Sequence, residues 1–593
     1  MASPDLPFGS EYAPVGGNPA VVLEAAGAAG GLLTDEFLRR QATGSDIGDV
    51  ACLETVHIDP IAEKTDSGAE DVYRKKYDSV TREVSIESDV TEADYEAMAR
   101  ELGPGAVSRL ELLKDYAQMM QEQNRELTFV NATAFGGGVA IMRAPLIHML
   151  RTFGVNARWY ALKANPQAAL VTKRSFHNVL QNVDSAVPLS EERKMTYETW
   201  IDGEASALAE PLSTATDIVI DDWQPSRLIP HIKGTAATPG LNPEANLLFR
   251  DHIHTEGQLM VTEGTPQYET WQYIWGDNRV SEANYFITHP RKEFLPPNVP
   301  LAKNVLMPAT IDTLDSLNKR PLTPEQVARG REVVDRHLLE SNEVGNNLKA
   351  ELGLSDEEQA INWEQRGVDW DRPYIVLIAR FDPSKGMDLG MEAYVQARQM
   401  MIEQGVPETR IPQLLIIGNG SVDDPDGKPE LAKMMRLRNE QSASHRDDIK
   451  IARMGHDDEA LNAVLGGARL ALQPSTKEGF EDRVTSAIWH YVSVLGSDRG
   501  GIPLQIIDGE SGYIMDPHNT SLWAERIYEL TMDEPKYQAM RRRTRELATL
   551  HNSQFTTVYN AASWLYLCLK ANSNLQGNGR RVTDIIEEEP IAA

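Results

Sequence analysis

A glutamate in a glycine turn is the residue whose surroundings predict chemistry most clearly. Glu478 lies in Lys477-Glu478-Gly479-Phe480, after the apolar residues 470–472 and before a helix-like segment. A strand that ends in such a turn places the carboxylate at the carboxyl edge of a parallel sheet, where open α/β sheets bind ligands. There Glu478 can accept hydrogen bonds from a polyhydroxylated ligand, and N–H groups at the helix start can face an anion.

A second loop supplies fixed positive charge. Arg380 and Lys385 lie in Ala379-Arg380-Phe381-Asp382-Pro383-Ser384-Lys385-Gly386, directly after the strand-like residues 374–379. Two cations on one loop suit a phosphate or diphosphate leaving group. In isolation a solvated, ion-paired loop is the better interpretation, but the predicted position beside a cleft favours the phosphate clamp.

A glycine-rich segment follows the first strong strand. Gly136-Gly137-Gly138 comes after residues 127–131 and opens a helix. Glycines let a ligand approach the backbone, and a helix start offers free N–H donors. A plain strand–helix turn is the alternative, but three glycines favour a ligand loop.

Three more polar segments follow predicted strands or begin helices. Asp221-Asp222-Trp223-Gln224 suits hydroxyl recognition and a helix N-cap equally well. His252 and His254 are close in sequence, but no cysteine or third ligand is nearby, so we expect a hydrogen-bonding His252 and no zinc site. The basic residues 172–178 could contact a sugar or phosphate, or form a helix start with exposed charges.

These segments lie at the junctions between strands and helices that alternate along the chain. Such alternation predicts parallel sheets with right-handed crossovers, and we expect an α/β protein with two doubly wound, Rossmann-like domains facing across a cleft. The predicted strands are residues 127–131, 157–162, 217–220, 246–249, 285–288, 305–307, 374–379, 413–417, 449–452, 469–473 and 492–495. The predicted divisions are an N-terminal extension (1–85), a first Rossmann-like acceptor domain (86–320), a second Rossmann-like donor domain (321–550), a helix crossing back to the first domain (551–575) and an acidic tail (576–593). We expect the final Glu587-Glu588-Glu589 of this tail to be disordered.

Composition excludes several classes of protein. The 593 residues carry a net charge of −30, which argues against nucleic acid or an anionic membrane as a partner. Two cysteines, Cys52 and Cys568, cannot build a disulfide framework. No signal peptide or membrane span is evident, so we expect a cytoplasmic protein.

The sequence resembles the retaining GT-B glycosyltransferases, specifically their trehalose phosphorylase and trehalose synthase branch. The resemblance covers about residues 127–572 and rests on segments in the family's order: GGGVAIMR, VTKRSFHNVLQ, VIDDWQP with LIPHIK, FRDHIH, MPATID, ARFDPSKG, KEGFEDRV and GGIPLQIIDGESGYI. The first and third of these look closer to the phosphorylase type.

The resemblance implies a role for each matched residue. Arg380 and Lys385 would hold the donor phosphate, so no metal or other cofactor is expected. His252 would contact the donor sugar and, with Glu478, Arg380 and Lys385, form the catalytic set. The other donor contacts implied are Gly137, Gly138, Gly479, Phe480 and Ser486. The acceptor contacts implied are Lys173, His177, Asn178, Asp222 and Gln224.

Two positions depart from the family pattern. The family has a second glutamate eight residues after the first, which binds ribose in nucleotide-sugar enzymes, and here that position is Ser486. A serine weakens the case for a nucleotide-sugar donor and is compatible with glucose 1-phosphate. Trp223 replaces a small residue or proline, and it and the aromatic residues of segment 266–275 could stack on an acceptor sugar.

The expected activity is therefore trehalose phosphorylase: trehalose and phosphate interconverted with glucose 1-phosphate and glucose. The alternatives are a trehalose synthase that uses NDP-glucose and a non-catalytic sugar-binding relative. The expected partners are small sugars and phosphate, with a homodimer implied by family analogy.

Overall fold

A β-hairpin begins the part of the chain that the structure describes. The computed structural model describes residues 71–591 except 136, 184–185, 236, 277, 352–363, 419–426, 456 and 574. The antiparallel strands β1 (Arg74–Tyr77) and β2 (Val84–Glu87) form the hairpin, which touches the edge of the first large sheet through Glu83 and Tyr160. Most of the predicted N-terminal extension, and Cys52, lie outside the described residues.

A parallel seven-stranded sheet forms the first lobe. Its strands are β3 (Glu126–Asn131), β4 (Asn156–Ala161), β5 (Asp217–Asp221), β6 (Asn246–Arg250), β7 (Tyr285–Thr288), β8 (Asn304–Leu306) and β15 (Arg580–Arg581). Their order in the sheet is β15-β8-β7-β6-β5-β3-β4. The chain runs outward from β3 to β4 and returns to β5, so the crevice between β3 and β5 is the switch point of this sheet.

Helices cover both faces of this sheet. They are Glu92–Leu102, Pro104–Glu122, Gly138–Thr152, Pro166–Val171, the π-helix Thr172–His177, Asn178–Gln181, Glu191–Ala207, Ala209–Thr214, Leu228–Lys233 and Pro266–Trp275. Two apolar cores result. One lies beneath the helices at Pro104–Glu122 and Gly138–Thr152, and the other surrounds Trp223 and Phe249.

A parallel six-stranded sheet forms the second lobe. Its strands are β9 (Tyr374–Ile378), β10 (Gln413–Gly418), β11 (Ile449–Arg453), β12 (Leu470–Gln473), β13 (Ser493–Ser497) and β14 (Gly512–Met515). In the order β11-β10-β9-β12-β13-β14 the switch point lies between β9 and β12. Strands such as β9 are apolar and buried along their whole length, as expected for a sheet covered on both faces.

The remaining helices cover the second sheet and return to the first lobe. They are Pro324–Glu351, Met387–Glu403, Gly427–Glu440, Ala443–Arg446, Asp458–Leu465, Asp482–Trp489, Thr520–Met532, Glu534–Leu550, Thr557–Lys570 and Val582–Glu588. Helix Thr557–Lys570 packs on helix Pro104–Glu122, and Trp564 contacts the ring of Phe129 edge-on at 5.2 Å. The predicted fold class, two doubly wound α/β domains of GT-B type, is confirmed.

The prediction of a disordered acidic tail was wrong for its described part. Residues 582–588 form a helix that buries Val582, Ile585 and Ile586, and Arg109 donates a 2.6 Å hydrogen bond to Glu587. The glutamates therefore occupy the outer face of an amphipathic helix, a pattern that the run of acids conceals. Among the described residues, none of the helices could cross a membrane.

Candidate active site

A cavity of about 260 Å³ lies at the carboxyl ends of both sheets and receives side chains from both lobes. Residues after β3, β5 and β6 form one wall, and residues after β9 and β12 form the other. Both switch points therefore open into the same space. This is the location in which doubly wound sheets bind their ligands.

The glycine loop opens the cavity on the side of the first lobe. Gly137 precedes helix Gly138–Thr152 as its N-cap and offers no side chain to the helix N–H groups. A Cβ atom at Gly138 would meet no atom within 4 Å, and one at Gly137 would meet only Thr133 at 3.8 Å. Packing against the described residues therefore does not require glycine at either position, and both glycines line the cavity. Gly136 lies outside the described residues.

A buried charge network fixes His252 in the cavity wall. Asp221 at the end of β5 accepts a 2.9 Å hydrogen bond from Arg143 and a 2.5 Å hydrogen bond from Nε2 of His252. Burial lowers the pKa of His252 to about 4, although the Asp221 carboxylate acts in the opposite direction. The imidazole is therefore neutral near pH 7, with its Nε2 proton directed at Asp221 because an ionised carboxylate can only accept.

Two acceptors without hydrogen-bond partners lie beside this network. Oδ1 of Asp222 and Oε1 of Gln224 are buried and accept no hydrogen bond from a described residue, and both residues line the cavity. Asp222 has a φ of 77°, a left-handed conformation that is costly for a residue with a side chain. Burial raises the pKa of Asp222 well above its ordinary value, and Asp251 and Asp221 add to the effect.

The predicted acceptor segment forms a π-helix, Thr172–His177, which places Lys173 and His177 in the cavity wall. Nε2 of His177 lies 3.5 Å from Oδ2 of Asp222. Single-turn π-helices are frequent at functional sites because the wider turn redirects side chains. Asn178 is only 2% exposed and does not line the cavity, since it lies in the next helix, Asn178–Gln181.

On the second lobe the loop after β9 presents Arg380 and Lys385. Asp382 organises this loop: it accepts hydrogen bonds from the backbone N–H and the hydroxyl of Ser384 at 2.9 and 2.7 Å. Gly386 ends the loop with a φ of 61°, and a Cβ atom there would lie 2.3 Å from the carbonyl oxygen of Pro474. Glycine is therefore required where this loop meets the loop after β12.

Lys385 joins the two loops through a pair of glutamates. Its Nζ donates to Oε2 of Glu478 at 2.5 Å and to Oε2 of Glu481 at 2.6 Å. Burial raises the pKa of Glu478 to about 7 despite the opposing effect of Lys385. Burial also acts to raise the pKa of Glu481. The charge and hydrogen bond of Lys385 act against burial, and the resulting pKa of Glu481 is lowered.

The turn after Glu478 lies directly against the first lobe. A Cβ atom at Gly479 would lie 2.2 Å from the carbonyl oxygen of His252, so only glycine fits there. The ring of Phe480 stacks on that of His289 with centroids 5.6 Å apart. Lys477 forms an ion pair with Glu256, and Lys173 forms one with Asp382. The two walls thus meet at several points around the cavity.

The structure brings most of the predicted site residues together. Those that line the cavity are Glu478, His252, Arg380, Lys385, Gly137, Gly138, Gly479, Phe480, Lys173, His177, Asp222 and Gln224. Asn178 and Ser486 do not. Ser486 lies one helical turn beyond the cavity-lining Asp482 and Arg483, is 1% exposed, and its hydroxyl has no hydrogen-bond partner among the described residues.

The expectation that Trp223 shapes a sugar pocket was wrong. Trp223 is fully buried in the first lobe, where its indole N–H donates a 3.0 Å hydrogen bond to Asp251 and its ring packs on Phe249. Trp271 is equally buried and stacks on Trp275 at 5.0 Å. These aromatic side chains fill the core beneath the site, and none lines the cavity.

Several cavity residues were missed from the sequence. Arg143, Asp382, Glu481, Arg483 and His289 neutralise, cap or line the site. Arg143, Asp382, Glu481 and Arg483 lie inside the sequence motifs described above. Their charge, next to residues predicted to bind a ligand, is the feature that could have identified them. Among the described residues, no group of three or more His, Cys, Asp or Glu side chains is arranged to hold a metal.

Comparison with known protein families matches both lobes. A model for the N-terminal domain of trehalose synthase matches residues 129–296, and a model for glycosyl transferases group 1 matches residues 359–547. The chain is 34% identical over 508 residues to a trehalose phosphorylase of Pleurotus pulmonarius, covering 84% of this chain and 64% of the relative. It is 28% identical over 447 residues to a trehalose synthase of Pyrococcus horikoshii, covering 74% of this chain and 90% of the relative.

Among solved structures, the α,α-trehalose 6-phosphate synthase of Burkholderia multivorans matches with a TM-score of 0.51 and 11% identity. The match covers 75% of this chain and 98% of that one. At this identity the likeness shows the fold alone. The chain spans just under two thirds of the length of the curated Pleurotus relative.

Proposed function

We propose that this chain, which belongs to the GT-B glycosyltransferase family of the trehalose phosphorylases and trehalose synthases, is a retaining α-glucosyltransferase that phosphorolyses trehalose. Trehalose and phosphate would give glucose 1-phosphate and glucose, reversibly. The observation that carries the proposal is the composition of one cavity: two unpartnered acceptors on one wall, and the cations Arg380 and Lys385 beside Glu478 on the other.

The second lobe supplies the phosphate contacts in this proposal. Arg380 and Lys385 line the cavity at the switch point of the second sheet. The first turn of helix Gly138–Thr152 faces the same space with free N–H groups, where the helix dipole favours an anion. Guanidinium, ammonium and backbone N–H donors together would stabilise the charge that gathers on phosphate as the sugar leaves it or arrives.

Glu478 would hold the hydroxyl groups of the transferred glucose, together with the amides of Gly479 and Phe480. The Gly479 amide already lies 3.0 Å from Oε1 of Glu478, so this turn presents its acceptor in a fixed orientation. A neutral His252 would contact the same sugar from the first lobe. Because the Nε2–H of His252 donates a hydrogen bond to Asp221, the Nδ1 atom of the neutral ring can accept a hydrogen bond from a sugar hydroxyl.

The acceptor glucose would bind on the first lobe. Asp222 and Gln224 offer buried oxygens that accept no hydrogen bond from the described chain, and sugar hydroxyl groups can donate to both. Lys173 and His177 lie in the same wall. Hydrogen bonds from sugar hydroxyl groups to these two oxygens would offset the free-energy cost of burying the oxygens.

The reaction balances without a covalent enzyme intermediate. The bond from C1 of one glucosyl unit to the bridging oxygen breaks, and a phosphate oxygen bonds to C1 on the same face. The proton of the attacking phosphate passes to the departing glucose oxygen. The protein aligns the reactants and stabilises the oxocarbenium-like sugar and the phosphate charge.

One assay separates this function from its alternatives. The protein is incubated with trehalose and phosphate, and separately with glucose and UDP- or ADP-glucose, while glucose 1-phosphate and trehalose are measured. We expect turnover with the first pair. Turnover only with NDP-glucose would identify a synthase. No turnover with either pair, with sugar binding retained in calorimetry, would identify a non-catalytic relative.

Glu478→Gln tests the site itself. The amide keeps the shape of the side chain but loses the charge that pairs with Lys385 and one acceptor for sugar hydroxyls. We expect kcat to fall at least about 100-fold, since preorganised groups at the reacting sugar contribute on that scale. The exposed Glu525→Gln is the matched control and should retain wild-type kcat. Unchanged turnover in Glu478→Gln would refute the assignment.

We also propose a cytoplasmic homodimer. The family resemblance supports the dimer, and two cysteines in 593 residues, one of them the free and buried Cys568, suit a reducing compartment. Light scattering coupled to size exclusion would test the assembly, and a monomeric mass would contradict it. Cell fractionation would test the location.

A further inference from the structure

Arg483 differs from the other cations of the cavity wall in its partners. The cavity-lining cations that form ion pairs with carboxylates are Lys173, Arg380, Lys385 and Lys477. Arg483 also lines the cavity, yet within the described residues its guanidinium makes no hydrogen bond or ion pair, and Nη1 is buried. A buried guanidinium N–H with no acceptor is rare in folded proteins and needs an explanation.

The position of Arg483 ties it to the proposed phosphate site. It is the second residue of helix Asp482–Trp489, and its backbone N–H donates to Oε1 of Glu481 at 3.3 Å. The other oxygen of Glu481 accepts from Lys385 at 2.6 Å. One carboxylate therefore separates Arg483 from a cation that we assign to phosphate. Arg483 also borders a small apolar cavity lined by Ile378 and Leu465, which limits its access to water.

Carboxylates around Arg483 maintain its charge from a distance. Burial acts to lower the pKa of Arg483, but Asp482, Asp458 and further acids raise it above its ordinary value. No carboxylate of the described part of the chain lies at ion-pair distance, so the guanidinium is charged while its donors stay available to a ligand. Oδ1 of Asp458 likewise has no hydrogen-bond partner among the described residues, so these two groups do not satisfy one another.

We propose that Arg483 is a further cationic contact for the phosphate group and determines that the sugar donor is a phosphate monoester. The proposal rests on the proposed function and names the donor class of that same site. A monoester presents a dianion with three terminal oxygens to a planar fork of donors. The sugar-bearing phosphate of a nucleoside diphosphate sugar has only two free oxygens and continues into a second phosphate.

Ser486 completes this selection. It lies three residues after Arg483 on the same helix, is 1% exposed and does not line the cavity. At this position, one turn after the cavity-lining Asp482, the helix therefore offers no carboxylate that could accept hydrogen bonds from ribose hydroxyls. A nucleoside extending past the phosphate would instead meet a guanidinium, which has donors and no acceptor. The combination favours inorganic phosphate and glucose 1-phosphate over nucleotide donors.

The test separates phosphate from trehalose in steady-state kinetics. Arg483→Met removes the charge and keeps an unbranched apolar chain, and we expect KM for phosphate to rise about 10- to 100-fold, the scale of a lost charge-assisted hydrogen bond. KM for trehalose should stay within about twofold. Arg541→Met, on the exposed face of helix Glu534–Leu550, is the matched control and should leave both KM values unchanged.

A second variant and a binding measurement keep the test decisive. Arg483→Lys keeps the charge without the planar fork, so KM for phosphate should rise by less than in Arg483→Met. Inorganic phosphate should raise the thermal midpoint of the wild type more than that of either variant. If Arg483→Met does not fold, Arg483→Lys decides: KM for phosphate and a phosphate-induced shift both equal to the wild type would show a purely structural arginine.

The failure of the proposed function would look different. A wild type that neither turns over trehalose with phosphate nor is stabilised by phosphate would refute the phosphorolysis, whatever the variants do. A wild type that uses phosphate, with a folded Arg483→Met whose KM for phosphate stays within about twofold, would refute only the role of Arg483. UDP-glucose turnover by the wild type at a rate comparable to phosphorolysis would refute the donor selection.

Discussion

Lys173 of the first lobe donates a 2.8 Å hydrogen bond to Asp382 of the second lobe, and both residues line the cavity. Both side chains are nearly buried, at 10% and 6% exposure. Burial opposes ionisation of Asp382, but Lys173, Arg380 and the Ser384 hydroxyl together outweigh it and hold the pKa of this carboxyl well below its usual range. One ion pair thus connects the π-helix Thr172–His177 to the loop that carries Arg380 and Lys385.

The two members of this pair should differ in their contribution to stability. Lys173→Met leaves Asp382 with its hydrogen bonds from Ser384, so we expect a loss of about 1–2 kcal/mol in the free energy of unfolding. Asp382→Ala removes the carboxylate facing a buried ammonium and the acceptor of the Ser384 turn, and should cost about 3–5 kcal/mol. Denaturant unfolding measures both, with the exposed Lys292→Met as control. Equal losses would contradict this ranking.

His252 should remain neutral throughout the physiological range. Its folded pKa of about 4 lies below the ordinary value of 6.5, because burial disfavours the charged ring more than Asp221 favours it. Between these values the unfolded chain binds more protons, so His252 lowers stability as pH falls from about 6.5 towards 4. Histidine-selective NMR should show no titration of His252 between about pH 5.5 and 8. A midpoint of His252 near 6.5 would contradict the prediction.

Asp251 should make the opposite contribution to stability. Burial raises its pKa from 3.8 to about 7, although the Ile253 N–H opposes the shift. Between these values the folded state binds more protons than the unfolded state, so stability falls as pH rises through that window. Asp251→Asn cannot titrate, and its unfolding free energy relative to wild type should rise by up to about 3 kcal/mol from pH 5 to 7. A difference between Asp251→Asn and wild type that stays constant from pH 5 to 7 would refute the shift.

Trp223→Phe should affect stability without affecting acceptor choice. The change removes the indole donor to Asp251 and leaves a gap in the core around Phe249, so we expect a loss of about 1–3 kcal/mol in unfolding free energy. The ratio of kcat/KM for glucose to that for other monosaccharides should stay constant in the synthesis direction. By contrast, Gln224→Ala changes the next residue in the chain, which does line the cavity, and should raise KM for glucose. A changed sugar preference in Trp223→Phe would contradict its assignment to the core.

The sequence predicts the two sheets because most of their strands are continuous apolar runs between glycine and polar turns. The strand β14, Gly512–Met515, was missed since it is short and half-buried at its centre, and β15 was missed because two arginines form it. The apolar part of β14 is only three residues long and β15 has none, so pairing with a neighbouring strand defines each of them. Local periodicity contains no information about such pairing.

The sequence motifs locate the site but not the hydrogen-bond partners within it. Motifs at strand ends identified Glu478, Arg380 and Lys385, because parallel strands bring their carboxyl ends to one edge. The contact of Lys385 with Glu481 joins residues 96 positions apart in the chain. Only the first turn of helix Asp482–Trp489 reaches the cavity, so Arg483 lines it while Ser486, one turn further along, does not. Both facts depend on tertiary packing rather than on spacing.

The return of helix Thr557–Lys570 and strand β15 to the first lobe has a consequence for biosynthesis. The sheet of that lobe gains its last edge strand, and Phe129 its partner Trp564, only from residues that follow the entire second lobe. During translation the first lobe therefore keeps part of its apolar surface exposed to solvent while more than 200 further residues are synthesised. The nascent chain should complete its second lobe before its first, and chaperones would encounter it in that interval.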